Sequence, residues 1–155
     1  MGEVYFYQLT ERPLEATLPT LLNKSLSAGW RVAVRAKDVA LVNRLDDALW
    51  NGDGFLPHGK NGGPHDADQP ILITTGEDTN TAACLMIVGG ATFEIEEIAS
   101  KQRVCVLFDG ADPSSLDHAR GQWRTVTAAG IGAQYWADEG GRWTKKAENA
   151  PDGQG

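Results

Sequence analysis

Cysteine, long apolar runs and basic residues are all scarce in this sequence, and each shortage excludes a class of protein. Only two cysteines occur among 155 residues, Cys84 and Cys105, and both lie inside apolar runs. Buried reduced thiols are typical of such positions, so we expect no disulfide and a cytoplasmic location. The longest apolar stretch, 82–90, is far shorter than the ~20 residues that span a bilayer. The first residues lack a basic segment followed by an apolar one, which predicts no export signal.

The deficit of basic residues makes the chain acidic. Fourteen Lys and Arg stand against twenty-one Asp and Glu, giving a formal net charge of −7. Such a surface repels a phosphate backbone, so we expect direct binding to single-stranded DNA to be weak. The hydrophobic fraction of 41% and the five Trp residues are nevertheless typical of a folded domain.

Hydrophobic patterning predicts strands that alternate with helices. Predicted strands occupy 4–9, 31–36, 71–74, 84–88, 104–108 and 134–136. Predicted helices start near Pro19, after an Asp38 cap and at Asp112-Pro113, and they end before Gly29, at Asn51-Gly52 and near Gly130. This order predicts an α/β three-layer sandwich with a mostly parallel sheet. We also expect a long surface loop over 51–70, and a domain over 1–146 followed by a flexible polar tail over 147–155.

One segment of the long loop is similar to a phosphate-binding loop. Residues Gly54 to Lys60 match the spacing of that motif, but Asn61 stands where a Ser or Thr would reach magnesium. The segment also follows a helix, whereas a phosphate-binding loop follows a buried strand. A small nucleotide-binding protein or enzyme that uses the Gly54–Asn61 loop is therefore the less favoured of two interpretations.

Other chemistry-bearing residues give no consistent pattern. His58, His65, Asp66 and Asp68 can in principle meet within the loop, but their spacing is not typical of zinc and solvated side chains are the simpler interpretation. His118 stands apart from them in the sequence. The sequence contains no nucleophile elbow, and neither cysteine lies in an electropositive turn. We therefore predict no catalytic residue, no metal site and no cofactor.

The last helix carries the clearest candidate for a binding site. Its apolar stripe, with the 3, 4, 3 spacing of a face packed on a sheet, is Leu116, Ala119, Trp123 and Val126. Arg120 and Arg124 are one turn apart beside Trp123, so an acidic peptide has an anchor here. The alternative is that Trp123 belongs to the core and the arginines are merely solvated.

Several segments of the chain resemble the chi subunit family of the bacterial DNA polymerase III holoenzyme, from the first strand through about residue 146. The most specific shared segment is Leu45-Asp46-Asp47-Ala48-Leu49-Trp50, followed by Phe55-Leu56-Pro57-His58. Further shared segments are 4–9, 28–32, 70–73 and Arg120-Gly121-Gln122-Trp123-Arg124.

The resemblance implies a non-catalytic adaptor with a Rossmann-like, mononucleotide-binding type of fold. Members of the family link the clamp-loader complex, through the psi subunit, to the acidic C-terminal tail of single-stranded-DNA-binding protein. That tail ends in Pro-Phe with a free carboxylate. The resemblance therefore makes both proteins expected partners, and it leaves DNA as an indirect one.

The resemblance also implies which residues make these contacts. The basic, aromatic and basic residues of the family's tail site match Arg120, Trp123 and Arg124, while a further basic position one turn earlier is Leu116 or Asp117 here. The psi-facing aromatic residues match Trp50 and Phe55. The alternative for Trp50 is that it closes the core beneath the loop.

Overall fold

Eight strands form one sheet with helices on both of its faces. The computed structural model describes residues 2–52 and 56–150. Its elements, in chain order, are β1 (Glu3–Leu9), α1 (Leu14–Ser27), β2 (Val32–Ala36), α2 (Val39–Asn51), β3 (Gly59–Lys60), a 3-10 helix (Asp66–Asp68), β4 (Ile71–Thr74), β5 (Cys84–Val88), α3 (Ile95–Ile98), β6 (Arg103–Asp109), α4 (Pro113–Ala128), β7 (Ala133–Glu139) and β8 (Arg142–Asn149).

The sheet is mostly parallel, as the sequence predicts. The strand order is β3-β4-β2-β5-β6-β1-β7-β8, and every pairing is parallel except the antiparallel pair of β7 and β8. Every residue of β4 and of β5 is buried, which explains why their sequences are apolar without alternation. The α/β prediction is confirmed, whereas the likeness to a Rossmann sheet is loose because the strand order differs.

Two apolar cores lie on the two faces of the sheet. On one face, α1 and α2 bury leucines such as Leu22 and Leu45 against β2, β4 and β5. On the other face, α3 and α4 bury Ile98 and Val126 against β1, β5 and β6. The face that carries α1 and α2 is called the α1 face below, and the other is called the α4 face.

The first helix begins earlier than the sequence predicts. It starts at Leu14, and the prediction of a start near Pro19 is wrong. Pro13 caps the helix, because its carbonyl accepts bonds from the amides of Ala16 and Thr17 at 3.2 Å each. Pro19 lacks the N–H that would bond to the Glu15 carbonyl, but the residues around it bury enough apolar surface to keep the helix.

The final strand is the largest element absent from the predictions. β8 ends at Asn149, so residues 147–149, which the sequence analysis places in a flexible tail, belong to a strand. The Asn149 amide donates to the Ile131 carbonyl at 2.9 Å, which anchors the end of the strand. The strand is an edge strand with mostly exposed polar side chains, and such strands lack an apolar signal. Residues 151–155 lie outside the described residues.

Other predicted features are confirmed or refined. The Asp38 carboxylate caps α2 by accepting from the Leu41 amide at 2.9 Å. The predicted 51–70 loop contains the short strand β3 and the 3-10 helix. Cys84 and Cys105 are buried free thiols, as expected. Within the part of the chain that the structure describes, no helix is long and apolar enough to cross a bilayer.

An ion pair between buried Arg35 and partly buried Glu97 joins β2 to the short helix α3. The guanidinium of Arg35 donates to both carboxylate oxygens of Glu97, at 2.9 and 2.7 Å, and also to the carbonyls of Gly76 and Thr92. One of the same carboxylate oxygens accepts from the Glu94 amide at 2.9 Å, which closes a capping box. The hydrogen bonds from Arg35 hold the pKa of Glu97 below its usual range.

We expect Glu97→Gln to lower the free energy of unfolding by about 1–3 kcal/mol at neutral pH, since Arg35 would keep its charge without its partner. Because the folded state lowers this pKa, the stabilisation is complete above the unfolded pKa and is lost as the pH falls through the folded pKa. The difference between wild type and variant should therefore shrink in acid. Urea unfolding at a series of pH values measures it, and a difference that stays constant would contradict this role.

Candidate protein-interaction sites

Helix α4 begins with a strong local signal. The Asp112 carboxylate accepts from the Ser115 amide at 3.2 Å and from its hydroxyl at 2.7 Å, and Pro113 occupies the first turn. The hydrogen bonds from Ser115 lower the pKa of Asp112. The helix then runs to Ala128 across the α4 face, which fixes the position of every side chain discussed next.

The apolar stripe of α4 packs on the sheet as its spacing predicts. Ala119 and Val126 are buried, and Leu116 and Trp123 pack against the same core while staying partly exposed. Trp123 meets Phe6 edge-on at 5.5 Å and Tyr135 edge-on at 5.9 Å between ring centroids. The indole is therefore held in one orientation by the core, with part of its surface at the helix edge.

Arg120 and Arg124 lie on the exposed side of α4 next to Trp123. Within the described residues neither guanidinium forms an ion pair or a hydrogen bond, so both charges are available to a partner. Arg120 also acts on Tyr135: burial raises the pKa of this phenol, and the positive charge of Arg120 offsets part of that rise. The two cations and two aromatic rings thus form one surface, defined by Arg120, Trp123, Arg124 and Tyr135 and called the α4 surface below.

Tyr135 is the member of this surface that the sequence analysis misses. It lies on β7, which pairs in parallel with β1 so that Tyr135 stands beside Phe6. The two rings stack at 6.4 Å with an angle of 10°. Only the sheet topology brings β7 to α4, and no local pattern in the sequence reports that neighbour.

The position one turn before Arg120 carries no cation. Leu116 packs into the core, and Asp117 is exposed. On that side of the helix a groove of about 360 Å³ separates α4 from Phe93 and Ile95. The Arg124 guanidinium lies on this side of the helix. Gly121 lines the groove, and a Cβ atom placed on Gly121 would be 4.0 Å from an Arg124 nitrogen.

Trp50 lies in the last turn of α2. Its exposed fraction is 57%, so the alternative that it closes the core is wrong. Its ring centroid lies 4.6 Å from that of His58, at an angle of 49°. His58 is itself buried, with Nδ1 at 2.7 Å from the Leu56 carbonyl and Nε2 at 3.1 Å from an Asp46 oxygen. Phe55, the other expected psi contact, lies outside the described residues.

The described residues do not assemble the other candidate sites, and the first residue of the candidate phosphate-binding loop, Gly54, lies outside them. Lys60 lies on strand β3, not before a helix, and its amine donates to the Asn43 side chain at 3.2 Å. The His58 Nε2 lies beside an Asp46 carboxylate oxygen, whereas the Asp66 carboxylate accepts from the amides of Gly62 and Gly63. In the ranges 2–52 and 56–150, no group of three or more His, Cys, Asp or Glu side chains is placed to hold a metal ion.

Comparison with known protein families agrees with this geometry. The family model described as DNA polymerase III chi subunit, HolC, matches residues 1–134 of the chain. The chain belongs to this family. It is therefore an accessory subunit of the DNA polymerase III assembly. The comparison with curated proteins finds no match. The family match covers all of α4 and the Trp50 turn, but not most of β7 or any of β8.

We expect Trp50→Ala to lower the free energy of unfolding by about 1 kcal/mol or less, because the change removes an exposed ring and its contact with His58. Leu45→Ala on the buried side of the same helix serves as the comparison, with an expected loss of about 2–5 kcal/mol. Chemical unfolding followed by circular dichroism measures both. Equal losses in the two variants would show that Trp50 supports the core.

Proposed function

We propose that this chain is a non-catalytic adaptor that links the clamp-loader assembly to the acidic C-terminal tail of single-stranded-DNA-binding protein. The observation that carries the proposal is the α4 surface, where two unpaired guanidinium groups flank an indole fixed by the core. Membership in the chi family supports the same role. The chain as a whole has a net charge of −7, so an acidic peptide would be attracted to this cationic part of the surface and repelled by most of the rest.

The chemistry of the α4 surface suits a peptide that ends in an acidic segment and a terminal Phe. A guanidinium matches a carboxylate with two parallel hydrogen bonds, and its charge does not depend on pH in the physiological range. In this proposal Arg120 and Arg124 hold the terminal carboxylate and acidic residues, and Trp123 borders the pocket for the final ring. A flexible tail loses conformational freedom on binding, so the affinity is modest.

A second contact is proposed for the psi subunit or another clamp-loader subunit, at Trp50 together with Phe55. The support is the exposure of the indole at the end of α2, since large exposed aromatic rings are enriched at protein interfaces. Capture of the partner by tagged wild type, with Trp50→Ala as the comparison, tests this contact. The nucleotide-binding alternative at the Gly54–Asn61 loop has little support, because Lys60 lies on an edge strand.

We expect Arg120→Ala to weaken binding of a labelled acidic peptide ending in Pro-Phe by about ten-fold, because a hydrogen bond between charged groups contributes about 1.5–3 kcal/mol and exposure favours the lower end. Fluorescence anisotropy measures the affinity, which should be on the order of micromolar for wild type. Salt should weaken the wild-type complex by screening the anchoring charges.

Lys60→Ala is the matched control, since it removes one positive charge on β3 at the far edge of the sheet from β7 and β8. Unchanged affinity in the Arg120→Ala, Arg124→Ala double variant, with the fold intact by circular dichroism, would place the tail elsewhere.

We also expect recruitment to DNA to depend on the coating protein. Bare single-stranded oligonucleotide should give no tight shift in a gel assay, because the chain gains little from counterion release at a net charge of −7. The same oligonucleotide coated with single-stranded-DNA-binding protein should be shifted further. Coating protein that lacks its tail is the control, and a tight shift on bare DNA would contradict tethering.

A further inference from the structure

A second cavity lies on the α1 face, away from both proposed contacts. It has a volume of about 330 Å³ and is enclosed by α1 and by residues of β1, β6, β7 and β8. Sites for small molecules have volumes of roughly 300–1,000 Å³, so one small ligand fits here. The sheet separates this cavity from the α4 surface, because Tyr5 and Tyr7 of β1 line the cavity while Phe6 between them packs under Trp123.

Five aromatic side chains line this cavity, and all of them are partly exposed: Tyr5, Tyr7, Trp30, Trp136 and Trp143. Their rings are not stacked flat on one another. Tyr7 meets Trp143 edge-on at 5.3 Å, and Tyr5 is tilted from Tyr7 by 57° at 6.4 Å. Burial raises the pKa of Tyr7 well above its ordinary value, so its phenol stays neutral and does not repel an anion. Aromatic side chains such as these pack well against the planar ring of a ligand.

The charged side chains that line the cavity are all cationic. They are Arg12, Lys24 and Arg103, and no carboxylate lines the cavity among the described residues. The Glu3 carboxylate interacts with the Tyr5 hydroxyl but does not line it. Acidic residues outnumber basic ones in the whole chain, so three cations without lining carboxylates mark a site for an anion.

Arg103 is the central cation. Its guanidinium lies 4.0 Å from the Tyr5 ring centroid and 5.4 Å from that of Trp30, which fixes its plane. One terminal nitrogen donates to the Tyr5 hydroxyl at 3.4 Å, while the buried Nε has no acceptor among the described residues. The buried Nε is closed to a ligand, but the other terminal nitrogen has no acceptor among the described residues, so it can donate to an anionic oxygen.

The other two cations differ in how firmly they are held. Arg12 donates to the Gly141 carbonyl and lies 5.8 Å from the Trp143 ring centroid, so it is fixed by β8 and its turn. Lys24 is exposed on α1 and forms no ion pair within the described residues. Arg12 is thus held to the backbone, whereas Arg103 and Lys24 have no backbone acceptor within the described residues and are the candidates to hold a bound anion.

We propose that this cavity binds a nucleotide, with the base against the aromatic walls and the phosphate on Arg103 and Lys24. An uncharged aromatic ligand would leave the positive charges of Arg103 and Lys24 without a partner, and a simple inorganic anion would leave the aromatic side chains uncovered. A nucleoside monophosphate supplies both groups in one molecule of suitable size. The site is independent of the tail contact and of the Gly54–Asn61 loop. We expect a weak affinity, consistent with the weak binding to bare DNA that the net charge predicts.

Intrinsic tryptophan fluorescence provides the test, since three of the five Trp residues line the cavity. Thymidine monophosphate should quench it saturably in the sub-millimolar range, whereas thymidine or inorganic phosphate alone should bind far more weakly. Arg103→Gln should weaken binding by about ten-fold, and Lys24→Gln by about three-fold because the lysine is exposed. The lysine variant keeps the test valid if Arg103→Gln does not fold.

Lys60→Gln is the charge-matched control and should change nothing. The acidic-peptide affinity of Arg103→Gln should equal that of wild type, so failure of this site and failure of the proposed adaptor role are distinguishable. A short oligothymidylate with a terminal phosphate is then tested as a competitor of thymidine monophosphate. If it competes, the site binds the end of a DNA strand; if it does not compete, the site binds free nucleotides. Lack of saturable quenching, equal binding of thymidine, or an equal loss in Lys60→Gln would overturn the proposal.

Discussion

The alternation of side chains along β1 is the constraint on which the α4 surface and the cavity on the α1 face both depend. This strand pairs in parallel with β6 on one side and β7 on the other, so its register is fixed twice. Alternate side chains of a strand point to opposite faces, and Val4 and Phe6 are fully buried on the α4 face. Tyr5 and Tyr7 must then point to the α1 face. A slip by one residue would bury two phenols under α4 and expose Phe6, which makes the observed register strongly preferred.

The arginines of this protein show how surroundings set the role of one residue type. Arg35 is buried and satisfied by Glu97 and two carbonyls, so its role is structural. Arg103 is held over aromatic rings with one donor unpaired. Arg120 and Arg124 are exposed without an acidic partner in the described chain. The sequence alone cannot tell a structural arginine from one that is available to a ligand, because the partners of each guanidinium come from distant segments of the chain.

Local signals in the sequence predict much of the fold. The Asp38 cap, the helix start at Asp112-Pro113, the apolar strands and the stripe of α4 each depend on a few neighbouring residues, and each is found in the structure. The misassigned start of α1 is also local in origin. Proline usually opens a helix, yet here the tertiary burial of Leu18 and Leu22 outweighs the lost hydrogen bond at Pro19.

Features made by long-range pairing could not be predicted in the same way. Strand β8 is polar and gains its backbone partners only from β7. Tyr135 joins the α4 surface because β7 lies beside β1, and the five rings on the α1 face come from four different segments of the chain. The Asp138 carboxylate, buried on β7, accepts from the amides of Thr10, Glu11 and Arg12 and so fixes the turn between β1 and α1. No pattern of spacing reports such a contact.

The placement of the proposed contacts has a consequence for an adaptor. Trp50 ends a helix on the α1 face, whereas Arg120 and Arg124 lie on a helix of the α4 face, so two partners can be bound without competing for one surface. A rigid parallel sheet between them keeps their separation fixed. Two contacts in series make a link no stronger than the weaker of them, so in the proposed role the affinity of the α4 surface sets how long the link lasts. A modest affinity there, as expected for a flexible tail that is ordered on binding, would let the tail exchange while the adaptor stays on its other partner.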